Sequence, residues 1–334
     1  MPRQEGGIRL KKFALFVLKR LIAAILVVIA VVILSFFVIN LAPGNPAVML
    51  AGEAASPEYI QEIAKAYGLD KPLQERLVIY LEHLLVGDWG YSTYYQAPVL
   101  RAVLDRLPAT LLLMFTALSI AIAAGIYLGA FTASRAFTRL DALINYLGLI
   151  FYSFPAYWLA LMLVMLFSLY IPVFPTSGMM DIGVEGTFQT ILNVLWHMVL
   201  PVATLSLIFL ASYLRLTRSV MIDVLSSNYI FTAVAKGLPK KRIIFKHALK
   251  NAIIPVIAMA GTQFGQVIAG AVLTETIFSW PGIGSLLIQA VTYRDYPLVI
   301  GIFIMTAIAT SASNFVADIL MARIDPRIKA KLMG

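Results

Sequence analysis

Long runs of apolar residues, separated by polar segments, dominate the pattern of this 334-residue chain. A helix needs about 20 predominantly apolar residues to cross a bilayer, and six runs are long enough. They lie at Leu21–Leu41, Ala109–Phe131, Leu143–Tyr170, Met198–Leu216, Ala252–Thr274 and Pro297–Ala322. The first run is too long for the apolar region of a signal peptide, so we interpret it as a retained helix. The pattern predicts an all-α polytopic protein with six transmembrane helices, a multi-pass protein of the cell membrane.

The first long polar segment, Ala42–Pro108, separates the first two runs. Ser56 before Pro57 is typical of a helix N-cap followed by proline at the first helical position. A second stretch, Leu73–Leu84, repeats leucine at helical spacing. We predict short amphipathic helices here. They form either a lid over the loops or a docking platform for a partner outside the cell.

The second long polar segment, Arg215–Asn251, contains two predicted short helices joined by an elbow. The first helix is predicted from Ser227 to Lys236. Gly237 suits a left-handed C-cap, and Pro239 suits the first turn of the next helix. A plain connecting loop needs no such caps. A capped helix that projects from the bundle favours docking into a groove on a cytoplasmic protein.

Composition and charge then give the orientation. Apolar residues make up 60% of the chain and charged residues 13%, and the mean hydropathy is +0.87. Of the 26 Lys and Arg residues, 20 fall in the segments that share a side with the N-terminus. The positive-inside rule therefore places the N-terminal segment 1–20 and the C-terminal segment 323–334 in the cytoplasm, an N-in/C-in topology. The basic pI reflects this topology, and we expect no nucleic-acid partner.

Common catalytic and cofactor motifs are absent from the sequence. It has no G-x-x-x-x-G-K-[ST] phosphate loop, no H-E-x-x-H and no G-x-S-x-G. It has no cysteine, which excludes disulfides and iron–sulfur clusters. The three histidines, His83, His197 and His247, lie on different segments, which argues against a shared metal site. We therefore predict no catalytic residue, no metal site and no cofactor bound by this chain.

The elbow also carries a family resemblance. The stretch Thr232–Gly237 (TAVAKG), followed by His247–Ala252 and Pro255, resembles the EAA loop of ABC-importer permeases, with Thr232 at the position of the acidic residue. Further similar stretches, in order, are LAPGNPAVMLAG, SPEYI, YGLDKPL, GDWGYS, RLPATL, ETIFSWPGIG, RDYP and IDPRI. This set covers nearly the whole chain and resembles the B-type subunit of dipeptide/oligopeptide (Dpp/Opp) permeases.

The resemblance implies a type I ABC importer permease fold, with a five-helix core over residues 109–322. It implies that the elbow couples to an ATPase through Thr232, Ala233, Ala235, Lys236, Gly237, His247 and Asn251. The implied partners are a homologous C-type permease, two ABC ATPases that bind ATP and Mg, and an extracellular substrate-binding protein. Trp280, Pro281 and Gly282 are candidate contacts of that binding protein. Peptides are the first implied substrate, with oligosaccharides, nickel complexes and glutathione as alternatives.

Polar residues within the spans are candidates for the translocation path because they are costly in a bilayer. Thr310, Asn314 and Asp318 form a stripe on the last span. They either face the path between two permeases or bond to neighbouring helices, and for Asp318 we favour an ion pair with Arg215 or Arg218.

The fifth span offers a second set of candidates. Gly261 and Gly265 form a small-xxx-small pattern that lets helices approach closely. Gln263 and Gln266 lie beside them. We predict that this span contacts the partner permease and that one glutamine faces the path, with packing inside the chain as the alternative.

An ion-coupled secondary transporter is the rival class. Such proteins carry a coupling-ion site in broken helices and paired repeats. We find no internal repeat and no charged residue at a span centre, and the capped elbow favours the ABC permease.

Overall fold

The computed structural model describes the backbone of residues 2–41, 46–51, 55–66, 68–69, 71–92, 94–265 and 271–324. Side chains are described for residues 13–37, 47–48, 51, 55–66, 68–69, 71–92, 94–263 and 271–322. Within these ranges the structure is helical apart from the connecting loops and one hairpin, which has two strands of two residues each. This agrees with the predicted all-α class.

Five helical stretches of the described chain are long and apolar enough to cross a membrane. They are Phe13–Phe37, Val99–Ala133, Thr187–Leu225, Lys240–Gln263 and Tyr296–Ala322. A bent helix pair supplies the sixth span if it is counted as one. The prediction of six spans is confirmed on that count. Phe13–Phe37 belongs to α1 (Pro2–Leu41), and the last stretch belongs to a helix that runs on to Ile324.

The bent pair lies where the sequence predicts the third span. α6 covers Arg139–Ser153, and α7 covers Ala156–Val164 and continues as a π-helix over Met165–Tyr170. The two halves meet at 101°. Pro155 lies at the break, where it lacks an N–H to donate, and Phe154 before it is extended, at φ −73° and ψ 133°. The proline thus divides the span into two helices.

The described part of the segment between the first two spans is largely helical. α2 covers Pro46–Ala51, α3 covers Pro57–Ala66 and α4 covers Leu73–Leu85. The Tyr59 amide donates to Ser56 Oγ at 3.2 Å, which confirms the predicted cap. A short antiparallel hairpin that the sequence pattern did not predict follows, with β1 (Tyr91–Ser92) paired to β2 (Ala97–Pro98).

The centre of the fold is the pairing of α5 (Val99–Ala133) with α8 (Thr187–Leu225). Two glycines of α5 allow the close approach. A Cβ at Gly129 would lie 2.6 Å from the Thr217 Cβ, and one at Gly125 would overlap Tyr213. Tyr213 itself is fully buried in the main core cluster. Larger residues at these glycines would push the two spans apart.

The remaining helices of the described chain follow α8. α9 covers Asn228–Ala235. α10 covers Lys240–Arg242 and continues through a π-helical turn, Ile243–Ala248, into α11, Leu249–Gly265. α12 covers Val272–Ile277, α13 Ile283–Thr292 and α14 Tyr296–Ile324. α14 packs against both α1 and α11.

Candidate coupling site

The predicted elbow forms as a capped helix between α8 and α10. Ser227 and Lys236 flank α9, at the two predicted boundaries. Gly237 adopts φ +72°, its amide donates to the Val234 carbonyl at 2.9 Å, and the Leu238 amide donates to the Ala233 carbonyl at 3.3 Å. These two bonds are the Schellman arrangement. The positive φ favours glycine at position 237, as the sequence predicts.

The two faces of α9 differ in exposure. Ile230 and Ala233 are buried in a cluster with Met221 of α8, Ile243 of the π-helical turn and Ala252 of α11. On the opposite face, Tyr229, Phe231 and Val234 are 42%, 61% and 56% exposed. The exposed side of α9 thus combines these three side chains with the polar residues Asn228 and Thr232, and the buried face connects it to α8, to the π-helical turn and to α11.

A hydrogen-bond bridge joins α9 directly to the start of the fifth span. The Asn251 amide donates to the Tyr229 hydroxyl at 2.8 Å, and that hydroxyl lies 3.5 Å from the His247 carbonyl oxygen. Asn251 and His247 were predicted coupling residues, whereas Tyr229 was missed. No local pattern pairs residues 22 positions apart, so nothing in the sequence indicated this contact.

The other predicted elbow residues divide by exposure. Ala235, Lys236 and Gly237 are exposed, and Thr232 is exposed with its hydroxyl donating to the Asn228 carbonyl at 3.1 Å. Ala233 points inward and contributes packing only. A partner that docks on α9 would therefore meet the exposed residues and not Ala233.

Among the predicted path residues of the fifth span, Gly261 and Gln263 contact other helices of this chain. Gly261 faces Ala317 of α14, where a Cβ would lie 2.8 Å from the alanine Cβ. Gln263 Oε1 accepts a hydrogen bond from the buried Tyr213 hydroxyl at 2.8 Å. The small-residue contact at Gly261 is thus intramolecular. Gly265 ends α11, and Gln266 lies outside the described residues.

The stripe on the last span lines a groove between α1 and α14. The groove has a volume of about 590 Å³, and Thr310, Asn314 and Asp318 are among its lining residues. Asp318 pairs with Arg20 of α1 at 3.0 Å. The expected pairing of Asp318 with Arg215 or Arg218 is therefore wrong, because α1 brings a cation of its own to that end of α14.

Arg218 instead pairs with Asp141 of α6. Its Nε and Nη2 donate to the two carboxylate oxygens, both at 2.6 Å. The Phe137 amide and the Asn145 side chain also donate to that carboxylate. Asp141 is buried, so the pair ties the first half of the bent span to α8 in a fixed geometry.

The candidate binding-protein contacts are largely inside the fold. Trp280 is fully buried and its Nε1 donates to the Ala109 carbonyl at 2.8 Å. Gly282 is buried, and Pro281 is half-buried. Trp280 and Gly282 therefore cannot meet a partner in this conformation. They belong to a junction that ties the ETIFSWPGIG stretch to the RLPATL stretch.

Glu275 is the centre of this junction and was missed as a functional candidate. Its Oε1 accepts from the Thr110 hydroxyl at 2.7 Å, and its Oε2 accepts from the amides of Gly284 and Ser285 at 2.7 and 3.1 Å. Thr110 in turn accepts from the Ile283 amide at 2.8 Å. The buried carboxylate thus caps α13 and fixes it to α5.

A second junction joins the GDWGYS and RDYP stretches. Buried Asp295 accepts from the Ser92 hydroxyl at 2.6 Å, the Tyr94 amide at 3.3 Å and the Leu298 amide at 3.1 Å. The same carboxylate therefore caps α14 and anchors the hairpin. Above it, the Tyr94 and Tyr293 rings stack with centroids 3.8 Å apart, and both side chains are about half exposed.

A bundle of bilayer-length helices with an exposed, capped elbow has the architecture of a membrane permease. Two family models match the chain. The model of the binding-protein-dependent transport system inner membrane component matches residues 121–330, and the model of its N-terminal part matches residues 13–114. The chain belongs to this family. It is therefore a multi-pass inner-membrane transport subunit with the type I ABC permease fold, in a system that depends on a binding protein.

Curated relatives are similar over nearly their full length. The dipeptide transport system permease proteins DppB of Alkalihalophilus pseudofirmus and Escherichia coli are each 37% identical to the chain. They cover 94% and 95% of it, and the matches cover 99% of each relative. The oligopeptide transport system permease protein AppB of Bacillus subtilis is 34% identical over 95% of the chain and 99% of the relative.

Proposed function

We propose that the chain is the B-type permease of an ATP-driven peptide importer. It pairs with a homologous C-type permease, and the translocation path runs between the two. Two ABC ATPases bind ATP and Mg and act on the elbow, while an extracellular binding protein delivers the peptide. The chain itself binds no cofactor and hydrolyses no ATP. Both termini lie in the cytoplasm, on the side of the ATPases.

The observation that carries the proposal is the two-faced elbow helix α9. Its exposed side presents Phe231, Val234 and part of the Tyr229 ring to solvent, and adjacent exposed apolar side chains are typical of an interaction site. A helix of this kind fits a hydrophobic groove on another protein. Its inner face packs against α8, the π-helical turn Ile243–Ala248 and α11, so a displacement of α9 moves the spans that it contacts.

The opposite end of the bundle offers a surface for the binding protein. Because Trp280 and Gly282 are buried, we propose that the binding protein contacts the exposed stacked pair of Tyr94 and Tyr293 together with helices α3 and α4, which precede the hairpin in the chain. Tyrosine is enriched in protein–protein interfaces. The junction at Asp295 holds the pair in place. This favours a docking platform over a passive lid.

Peptides are the proposed substrate because the relatives named above carry dipeptide and oligopeptide transport in their names. Oligosaccharides, nickel complexes and glutathione are the alternatives. They enter the test as competing substrates offered with the corresponding binding protein.

The test uses the whole importer in proteoliposomes, with uptake of a labelled dipeptide and ATP hydrolysis measured together. Gly237→Trp should uncouple the two, because a bulky residue at the elbow keeps the ATPases off α9. Gly183→Trp is the matched control. Gly183 has φ +83° and Gly237 φ +72°, and a Cβ at either would meet no atom within 4 Å.

Normal coupling in Gly237→Trp would reject the role of the elbow. Uptake driven by an ion gradient without ATP would replace the importer with a secondary transporter. Uptake of a sugar or a nickel complex in place of peptide would correct the substrate alone.

A further inference from the structure

Two arginines one turn apart on α8 have different surroundings. Arg218 is held by both oxygens of Asp141. Arg215 is exposed, and within the described part of the chain its guanidinium makes no ion pair and no side-chain hydrogen bond. Both lie in a helix that is long and apolar enough to cross the bilayer. Arg215 lies where the predicted fourth span, Met198–Leu216, meets the polar segment Arg215–Asn251, so its exposed guanidinium is available to bind an anionic group.

Arg215 lies in a polar cleft between α8 and α6, with a volume of about 500 Å³. Ser212, Arg215 and Ser219 follow one another at helical spacing, so they share one face of α8. Asn145 and Tyr152 line the cleft from α6. Polar side chains from two spans thus surround a single unpaired positive charge.

The hydrogen-bonding capacity of the cleft is partly unused. Asn145 Nδ2 donates to the backbone and side-chain oxygens of Asp141, both at 2.8 Å. The Asn145 Oδ1 atom therefore remains as an acceptor. The guanidinium and the two serine hydroxyls can donate. The cleft can bind an anionic group at Arg215 and an N–H group at Asn145.

We propose that this cleft is a transient binding site for the transported peptide, with the terminal carboxylate of the peptide on Arg215. The inference rests on the proposed function. A free dipeptide carries both a carboxylate and N–H donors, and the cleft volume lies within the usual range of ligand sites, about 300–1,000 Å³. An anionic lipid also offers a phosphate to Arg215, so the test includes one.

The chain contains no cysteine, which permits a direct test. Ser219→Cys places one thiol in the cleft, and Ser226→Cys places one on the exposed C-terminal end of the same helix as a control. The complete importer is held in lipid nanodiscs without ATP, and the rate of maleimide labelling is read on this chain. L-alanyl-L-alanine and its C-terminal amide are the probes.

The free dipeptide should slow labelling of Ser219→Cys several-fold, and the amide should not. Adding Arg215→Gln should abolish the protection, and Arg215→Lys should restore part of it. Labelling of Ser226→Cys should stay unchanged throughout.

Equal protection by the dipeptide and its amide would overturn the proposal, as would protection that survives Arg215→Gln. Protection by phosphatidylglycerol in the nanodisc without peptide, lost in Arg215→Gln, would assign the site to lipid. If dipeptide uptake is normal in proteoliposomes but gives no protection, this inference fails while the proposed function stands. If no peptide is taken up at all, the proposed function fails first.

Discussion

The Asn251 side chain donates a hydrogen bond to the Tyr229 hydroxyl at 2.8 Å, across 22 positions of sequence. The bond crosses from the elbow helix α9 to the first residues of α11. Apolar packing in the cluster around Ile230 can slide, whereas a directed hydrogen bond fixes the relative orientation of the two helices. The bridge therefore offers a route by which a movement of the elbow reaches the fifth span.

Tyr229→Phe should weaken coupling while leaving the fold intact. The substitution removes only the hydroxyl, and a hydrogen bond at an exposed site contributes about 1 kcal/mol to stability. We expect dipeptide uptake per ATP hydrolysed to fall several-fold, with little change in the melting temperature of the complex. Tyr170→Phe, at another exposed tyrosine, is the control. Unchanged stoichiometry in Tyr229→Phe would show that the bridge does not transmit motion.

Arg218→Gln should strongly destabilise the protein, because it leaves the buried Asp141 carboxylate without its cation. Breaking a buried pair of this kind costs about 3–5 kcal/mol. Arg101→Gln removes a cation from an exposed pair with Asp105, at 3.9 Å, and should change stability by less than about 1 kcal/mol. Thermal unfolding of the purified complex compares the two. Similar melting temperatures for both variants would contradict this account of the Asp141 pair.

Gly282→Ala should destabilise the junction around Glu275. The added Cβ would overlap the Glu275 carboxylate, which is fixed by Thr110, Gly284 and Ser285. Overpacking of this kind costs about 1–3 kcal/mol. Gly148→Ala in α6 is the matched control, because its Cβ would meet Ala211 at an ordinary 3.8 Å. The expected result is a lower melting temperature for Gly282→Ala alone, and an equal effect of both would count against the junction.

Ser92→Ala should loosen the hairpin. It removes the hydroxyl that donates to Asp295 and accepts from the Tyr95 amide at 3.1 Å, both within a buried site. Leaving these groups unsatisfied costs about 1–3 kcal/mol. Protease digestion should become faster at residues 91–98, whereas Ser153→Ala, at an exposed serine, should leave that rate unchanged. Unaltered digestion of Ser92→Ala would mean that the hairpin is held by other contacts.

The elements that the sequence predicted correctly have short-range causes. Apolar runs define the spans, Ser56 and Pro57 define the start of α3, and Gly237 defines the elbow. Each depends on residues within a few positions of one another, which a linear pattern contains. The break at Pro155 also has a local cause, a proline within an apolar run, although the size of the bend depends on how α6 and α7 pack against α8.

The parts that the sequence did not predict depend on long-range pairing. Asp318 had several basic residues at the same end of the bundle as possible partners, and only the position of α1 selects Arg20. Trp280 directly precedes Pro281 and follows Glu275 by five positions. Nothing in this local pattern indicates that its indole donates to the Ala109 carbonyl. The sequence pattern did not predict the hairpin because a strand of two residues is too short to show the alternation of apolar and polar residues that identifies strands.

The length of α8 has a mechanical consequence. At 1.5 Å per residue, its 39 residues form a helix about 58 Å long, and the elbow follows its C-terminal end. A tilt of about 5° about one end would carry the other through about 5 Å, close to one helical turn. Pro201 has no backbone N–H, so one hydrogen bond within α8 is missing. In the proposed transport cycle, the bending stiffness of α8 at this proline sets how much of a movement at the elbow reaches the other end of the helix.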